Sequence, residues 1–431
     1  MSAEVIALIV LGGLILLLAL GVEVAVAMGV VSSVAFILFI GKPQIEIAWS
    51  AWIGLNSFTL VAMPLFVFMG TLLANTGAIR SLFSGADKWI GGMPGGLVSS
   101  VLVASGVFGA MSGSSIAAAA TFSVITVPEM ERRNYDPKLS IGAIAAGGGL
   151  SVLIPPSVIL ILFGAYLNQS VARLFAAALI PGIILTILFL LTVLVIVSIS
   201  PKKAPRVTGI TWRERFQATK GLLPWVGVVI IVLGVIFGGI MTPTEASALG
   251  AVLAIVVAAL YRVLTYEALK KSLLQSIRVA AMIGFILITG KLLGFVMNAA
   301  GLTQSFSAFM INLPFGKYGI FAIICLMYIV LGMFFDAVAM LILTIPFVMP
   351  VMTELGFDPF WWGVVYVVLV EIGLVTPPFG LNLFTIQGVL PRYSLLTIAY
   401  GALPFLIPMV LMIVILVLFP ELATWLPSVL Y

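Results

Sequence analysis

Two apolar stretches of the chain each contain a proline pair where a membrane helix would have its middle. The first stretch reads GLSVLIPPS over residues 149–157, and the second reads GLVTPPFG over residues 373–380. A proline pair removes backbone donors and clashes with the preceding turn, so an α-helix cannot run through it. Carbonyl groups freed at membrane depth must be buried in protein or line a cavity. Paired breaks of this kind point to the binding site of a membrane transporter.

A serine-rich interruption divides a long apolar run at about 94–130 in the first half of the chain. It consists of Ser112, Gly113, Ser114 and Ser115. Hydroxyl groups and exposed backbone carbonyls are suitable ligands for a hard cation such as Na⁺, without a buried carboxylate. The alternative is a packing face of small residues, which is common between membrane helices. The nearby proline break favours the cation site.

Ionisable residues inside the apolar segments are functional candidates, because a charge within the membrane is costly. Asp336 interrupts a second long run, at about 318–353. It could cap the helical arm that follows it, or it could ligate a cation, and the two roles are compatible. Glu371 lies just before the second proline pair and could be either a proton-coupling group or a buried partner of Lys291.

The proline breaks themselves contain polar side chains, namely Ser151 and Ser157 at the first and Thr376 and Asn382 at the second. Half-helices that begin at a break direct the positive end of their dipole at a bound anion. Freed carbonyls on the other side of a break could hold cations. The alternative is that each pair only kinks a helix and binds nothing.

The composition is that of a polytopic membrane protein surrounded by the lipid bilayer. Of the 431 residues, 63% are hydrophobic and only 8% are charged, whereas soluble domains have about a quarter charged residues. The absence of histidine excludes histidine-based proton relays, and a single cysteine, Cys325, excludes an internal disulfide. No Walker, HExxH or aspartate-rich prenyl-diphosphate motif is present, so we do not expect an enzyme.

The net charge of +5 indicates topology and not nucleic-acid binding. Lysine and arginine concentrate in three short segments, at about 131–138, 201–220 and 262–278. Short loops rich in basic residues remain in the cytoplasm. We therefore predict that these three loops are cytoplasmic and that both chain ends are periplasmic.

Three landmarks recur at almost the same spacing, which predicts an internal repeat. Glu23 and Glu245 are 222 positions apart, Pro155 and Pro377 are also 222 apart, and Gly77 and Gly301 are 224 apart. We therefore predict a first repeat over 1–200, a linker over 201–220 and a second repeat over 221–431.

Each predicted half has the same order of elements. A run of roughly 36 residues is too long for one span of about 20, so each interrupted run is either two spans or a re-entrant hairpin. Either choice gives each half an odd number of net crossings, and the second repeat is then inverted. The predicted helices are 4–20, 24–41, 57–77, 139–167 and 174–199 in the first half, and 221–241, 245–263, 279–299, 360–389 and 395–419 in the second.

The combined motifs resemble those of the large membrane subunit of tripartite ATP-independent periplasmic (TRAP) transporters, within the ion-transporter superfamily. The matching segments are MTPTEA at 241–246, SGSS at 112–115, IPPS at 154–157, GMFFD at 332–336 and TPPFG at 376–380. The resemblance covers essentially the whole chain. It implies an all-α inverted-repeat transporter of the elevator type, with two re-entrant hairpins and two broken helices. The implied moving transport domain comprises about 80–170 and 300–390, and the remaining helices form the scaffold.

The resemblance also implies a function, partners and binding residues. The expected activity is sodium-driven import of an organic anion, delivered by a periplasmic substrate-binding protein, together with a separate small four-helix membrane subunit. Family members carry C4-dicarboxylates, sialic acid and other carboxylates, and no residue here selects among them. The alternative is a stand-alone sodium/anion symporter or channel that needs no binding protein. The implied first sodium site comprises Ser112, Ser151, Leu153 and Pro156, the second comprises Gly332, Asp336, Thr376 and Gly380, and the implied substrate contacts are Gly113, Ser114, Ser115, Ser157, Pro377 and Asn382.

Overall fold

The described residues of the first half form ten α-helices. The structure is a computed structural model that describes residues 3–40, 45–206 and 210–431. A π-helical turn, Phe36–Ile40, extends the second helix, and 3₁₀ turns occur at Phe58–Val61 and Pro201–Lys203. The helices are α1 (Ala3–Ala19), α2 (Val24–Ala35), α3 (Ile45–Leu55), α4 (Ala62–Asn75), α5 (Ala78–Ile90), α6 (Gly96–Ser112), α7 (Ser115–Arg132), α8 (Pro137–Leu153), α9 (Val158–Leu167) and α10 (Val171–Ile199).

The second half contributes ten more helices, and no strand occurs among the described residues. Eight helical segments of the described chain are long and apolar enough to cross a membrane, and several shorter apolar helices accompany them. The chain is therefore an all-helical polytopic membrane protein. The helices are α11 (Trp212–Phe237), α12 (Pro243–Leu260), α13 (Tyr266–Ala299), α14 (Leu302–Ile311), α15 (Gly316–Gly332), α16 (Ala337–Glu354), α17 (Pro359–Val375), α18 (Leu381–Val389), α19 (Leu395–Leu418) and α20 (Glu421–Leu430).

All four predicted interruptions are present as breaks between helices. The serine-rich segment separates α6 from α7, and the segment before Asp336 separates α15 from α16. The proline pairs separate α8 from α9 and α17 from α18, and both pairs are joined by a cis peptide bond. Three of these breaks follow from local chemistry, because paired prolines cannot continue a helix and Gly113 accepts the left-handed backbone between α6 and α7. The fourth lies just before Asp336, whose side chain caps α16.

Several helix boundaries differ from the sequence prediction. The short helices α3, α5, α14 and α20 were missed, and α13 begins at Tyr266 instead of 279. The predictions followed apolar runs of membrane-spanning length, whereas α5, α14 and α20 have 13, 10 and 10 residues. The basic first turns of α13 are helical although they are not apolar. The predicted end of the second helix at 41 lies outside the described residues.

The broken helices occupy the centre of the protein. Every residue of α8 from Leu139 to Leu153 is buried, and so is every residue of α17 from Trp361 to Val375. Helix α8 packs on α6, α7 and α19, while α17 packs on α15 and α19. The surrounding helices α2, α3 and α4 pack on α13.

Glycine contacts hold each interrupted pair against the broken helix of its own half. A Cβ atom on Gly109 of α6 would lie 2.0 Å from the Cα of Ser151 in α8. A Cβ atom on Gly332 of α15 would lie 3.0 Å from the Cα of Gly373 in α17. Gly109 and Gly332 are 223 positions apart and Ser151 and Gly373 are 222 apart, which is the offset of the predicted repeat. The two halves therefore use equivalent close contacts to place their breaks.

Candidate functional site

A central cavity of 570 Å³ brings together residues from both halves of the chain. One wall is formed by α4 and α13, and the other by the α6–α7 break, the start of α16 and the end of α17. The predicted site residues on this wall are Ser112, Gly113, Ser114, Ser115 and Asp336. Glu371 also lines the cavity. The remaining predicted residues lie in or beside the breaks but do not line this cavity.

The α6–α7 break is packed directly against the first proline break. Gly113 has a φ of +60°, and a Cβ atom there would lie 3.0 Å from the amide nitrogen of Val158. Ser114 caps α7, since its hydroxyl oxygen accepts from the amide of Ala117 at 3.3 Å. Ser157 caps α9 in the same way, accepting from the amide of Leu160 at 3.4 Å. Side chain and backbone groups of both breaks therefore meet within one small volume.

Oxygen atoms suitable for a cation are available at this first break. The hydroxyl of Ser112 is buried and has no hydrogen-bond partner among the described residues. The Ser151 hydroxyl donates its proton to the carbonyl of Ser105 at 2.9 Å, and the backbone carbonyl of Ser151 is a further oxygen at this break. In a continuous α-helix the carbonyls of Ser151 and Val152 would accept from the amides four residues later. Those residues are Pro155 and Pro156, which have no N–H, so both carbonyls lack their helical donor. These oxygens fit the type of ligand set that Na⁺ requires.

The second pair of breaks consists of the α15–α16 break and the second proline break. The carboxylate of Asp336 caps α16, accepting from the amides of Val338 at 2.8 Å and Ala339 at 3.2 Å, so the predicted capping role is confirmed. At the second proline break, the hydroxyl of Thr376 donates to the carbonyl of Ile372. A Cβ atom on Gly380 would lie 2.5 Å from the carbonyl oxygen of Leu374, so only glycine allows this tight loop.

A buried polar cluster connects the two halves. The Ser115 hydroxyl donates to Glu371 Oε2 at 2.8 Å, and the side-chain amide of Asn382 donates to Ser115 Oγ at 2.7 Å. Glu371 is 2% exposed and Asn382 is fully buried. Glu371 Oε1 and Asn382 Oδ1 have no partner among the described residues. The predicted substrate contacts Ser115 and Asn382 are thus engaged in an internal cluster in this structure.

The suggested pairing of Glu371 with Lys291 is wrong. The ammonium of Lys291 donates to the carbonyl of Tyr166 at 3.3 Å and lies 4.0 Å from the centroid of the Tyr166 ring. Its interactions are therefore with α9 and not with α17. Within the described chain, no ion pair neutralises Glu371.

Ion pairs anchor the basic end of α7, away from the cavity. Arg133 binds Asp87 of α5 at 3.0 Å and Glu129 at 2.6 Å. Arg392 binds Glu131 at 2.8 Å and connects α7 to the segment before α19. A hydrogen bond from Arg132, supported by Arg133, holds the pKa of Glu129 below its ordinary value.

The polar residues on the α4–α13 wall were not predicted from the sequence. These are Thr71 and Asn75 on α4 and Lys271 and Gln275 on α13. Each pair has a spacing of four residues, which places both side chains on one helix face. The four-residue spacing is visible in the sequence, but the sequence does not indicate which neighbouring helix each of these faces contacts.

Comparison with known proteins shows which family this sequence matches and which solved structure has a similar fold. The sequence model described as "Tripartite ATP-independent periplasmic transporter, DctM component" matches residues 11–422. The chain is similar to the C4-dicarboxylate TRAP transporter large permease protein DctM of Vibrio cholerae, with 29% identity over 100% of this chain and 98% of that protein. It is also similar to the sialic acid TRAP transporter large permease protein SiaM of Vibrio cholerae, with 28% identity over 92% of each.

A solved structure has a similar arrangement of helices. The YdaH transporter of Alcanivorax borkumensis superimposes with a TM-score of 0.57 and 14% sequence identity, over 89% of this chain and 87% of that one. At this level of identity the likeness concerns the fold.

Proposed function

Because this chain belongs to the DctM component family, the large membrane subunits of TRAP transporters, we propose that it imports an organic carboxylate anion. We also propose that sodium drives this import. It is a transport protein and not an enzyme. The observation that carries the proposal is the meeting of the α6–α7 break with the first proline break, where the Ser112 hydroxyl and freed carbonyls remain available.

Two sodium sites are proposed at the paired breaks. Ser112, Ser151, Leu153 and Pro156 would hold the first ion, and Gly332, Asp336, Thr376 and Gly380 would hold the second. A bound cation supplies positive charge to a cavity wall whose own ionisable groups, Asp336 and Glu371, are carboxyls. The anion would then bind favourably only when cations are present. This dependence is the physical basis of the proposed coupling.

The substrate is proposed to contact the two breaks together. Ser114 and Ser157 each begin a helix, and their helix N-termini favour a carboxylate nearby. Gly113 brings the α6–α7 break close to Ser157, since a Cβ atom on Gly113 would lie only 3.0 Å from the amide nitrogen of Val158. Ser115, Pro377 and Asn382 complete the proposed contacts, although Ser115 and Asn382 must then exchange hydrogen bonds within their cluster.

The proposed movement is of the elevator type. The interrupted pairs and broken helices, about 80–170 and 300–390, would move as one transport domain against the other helices. The Ser115–Glu371–Asn382 cluster supports this division because it joins the central parts of both halves. The wall formed by α4 and α13 would belong to the scaffold.

The tripartite family name supports two protein partners. We propose a separate small membrane subunit and a periplasmic substrate-binding protein that delivers the anion. The relatives named above are described for C4-dicarboxylates and for sialic acid, which supports a carboxylate as the proposed substrate class. The proposed location is the bacterial inner membrane, with both chain ends in the periplasm and the basic loops in the cytoplasm.

The test is uptake by the purified complex in proteoliposomes, with succinate and N-acetylneuraminate as labelled substrates. With the binding protein present, we expect uptake in an inward sodium gradient and none when choline replaces sodium. Equal uptake in choline would refute sodium coupling. Equal uptake without the binding protein would favour the stand-alone symporter.

A further inference from the structure

The α4–α13 wall of the cavity is a fixed polar surface. Asn75 donates to the hydroxyl of Ser272 at 2.9 Å, and the Thr71 hydroxyl lies 3.2 Å from that of Ser276. These bonds hold α4 and α13 together, so side chains on this wall keep their positions relative to each other. Lys271 and Gln275 occupy one face of α13 and line the cavity beside this seam.

The cavity extends along both walls between the break and Lys271. On α7 its lining includes Ser114, Ala117 and Thr121, which lead away from the break towards the basic end of that helix. On α13 the lining continues from Lys271 and Gln275 to Val279 and Ile283. A ligand at the break therefore shares one continuous space with Lys271.

Lys271 is the cationic side chain of this cavity. Within the described part of the chain, no other lysine or arginine lines it. Lys271 is exposed and has no ion pair or hydrogen bond to any described residue. The two acidic groups on the wall are engaged elsewhere, since Asp336 caps α16 and Glu371 binds Ser115. An unpaired ammonium in a cleft raises the local concentration of anions.

We propose that Lys271 is an anion-binding residue on the α4–α13 wall, which a carboxylate or sulfonate group contacts after it leaves the α6–α7 break. The inference rests on the proposed function for the identity of the anion, for its binding at the α6–α7 break and for the movement of the transport domain. In the proposed movement the transport domain shifts and α13 stays in place. Whenever the break and Lys271 line the same cavity, as in this structure, the lysine would compete with the break for the anion. That competition would favour release of the anion from the break towards the side of the membrane where the basic loops lie.

The test measures the electrostatic effect of Lys271 directly, without transport. Cys325 is buried and is the only cysteine of the chain, so Cys325→Ala provides a background for a single reporter cysteine. Gln275→Cys is then introduced one helical turn from Lys271. The purified complex is treated with an anionic thiol reagent, methanethiosulfonate ethylsulfonate, and with its cationic trimethylammonium counterpart.

The expected result is a change in the ratio of the two reaction rates. Adding Lys271→Gln should lower the anionic-to-cationic ratio at least about fivefold, because one positive charge near the reporter is lost. Lys270→Gln is the matched control, being an adjacent exposed lysine outside the cavity lining, and should leave the ratio within about twofold. Succinate should slow modification of the reporter, and Lys271→Gln should abolish that protection.

A second reporter cysteine tests whether the change in the rate ratio is confined to position 275. Thr121→Cys places the thiol on the opposite wall, and the ratio there should also fall when Lys271 is replaced. A ratio that is unchanged by Lys271→Gln at both reporters, or changed equally by Lys270→Gln, would overturn the proposal. A failure of sodium coupling would not alter these rates, so the two hypotheses are distinguished.

Discussion

Ser115 and Glu371 are 256 positions apart in the chain, yet the Ser115 hydroxyl lies 2.8 Å from Glu371 Oε2 in the interior of the protein. The contact joins the interrupted pair of the first half to the broken helix of the second half. It is completed by Asn382, whose amide donates to the same hydroxyl. The two halves are therefore connected by polar groups as well as by apolar packing.

Replacing Ser115 by alanine should destabilise the protein. Glu371 Oε2 would lose its donor and the Asn382 amide an acceptor in a buried site, at a cost of about 1–3 kcal/mol. The change should appear as a lower midpoint of thermal unfolding for the purified complex. Ser112→Ala, measured in sodium-free buffer, is the matched control, because the Ser112 hydroxyl has no partner to lose among the described residues. Equal midpoints for the two variants would contradict the structural role of the cluster.

Ser112→Ala should instead weaken sodium binding. Loss of one oxygen ligand should raise the sodium concentration for half-maximal uptake about tenfold, equivalent to roughly 1.4 kcal/mol. Uptake is measured in proteoliposomes at a series of sodium concentrations. Ser100→Ala serves as the control, since Ser100 is also buried on α6 but its hydroxyl bonds to Gly96 of the same helix. An unchanged sodium dependence in Ser112→Ala would remove this residue from the site.

Gly109→Ala should disrupt packing at the first proline break. The new Cβ atom would lie 2.0 Å from the Cα of Ser151, so α6 and α8 would have to separate. Overpacking of this kind typically costs about 1–3 kcal/mol. Gly227→Ala on α11 is the control, because nothing lies within 4 Å of its Cβ position. Thermal unfolding should show a lower midpoint for the first variant only, and equal midpoints would argue against the close contact.

Acid should weaken the ion pairs at the basic end of α7. The pKa of Glu129 is lowered in the folded protein, chiefly by its hydrogen bond from Arg132. A carboxylate with a lowered pKa stabilises the fold above its ordinary pKa of about 4.3, and this contribution is lost as the pH falls through the lowered value. Because Arg132 is exposed and Glu129 is partly exposed, solvent screens the pair and the effect should stay below about 1 kcal/mol.

The measurement is thermal unfolding of the wild type and Glu129→Gln as the pH is reduced from about 6 to about 3, through the ordinary carboxyl range. The stability difference between them should be present at the higher pH and shrink in acid. Glu267→Gln, an exposed residue without an ion pair among the described residues, is the control. A difference that grows on acidification would have the wrong sign.

The breaks and the Asp336 cap were predictable because their causes are local in the chain. Proline pairs end helices wherever they occur, and Asp336 precedes a helix that its carboxylate can cap. The repeat was predicted by comparing the sequence with itself, which needs no knowledge of the fold. The helices α5, α14 and α20 were missed because they are too short to span a membrane, and apolar length was the signal used.

The contacts between distant segments required the folded protein. Lys291 and Glu371 were paired on the basis of charge, but α13 places the lysine against Tyr166 of α9. Lys271 belonged to a basic loop in the sequence and became a cavity residue only because α4 and α13 pack against each other opposite α7. Residue types and spacing determine where a helix begins, ends or breaks, since those interactions reach only a few positions along the chain. Which side chains share a cavity depends on how helices hundreds of residues apart pack, and that is decided by the shape of the whole interior.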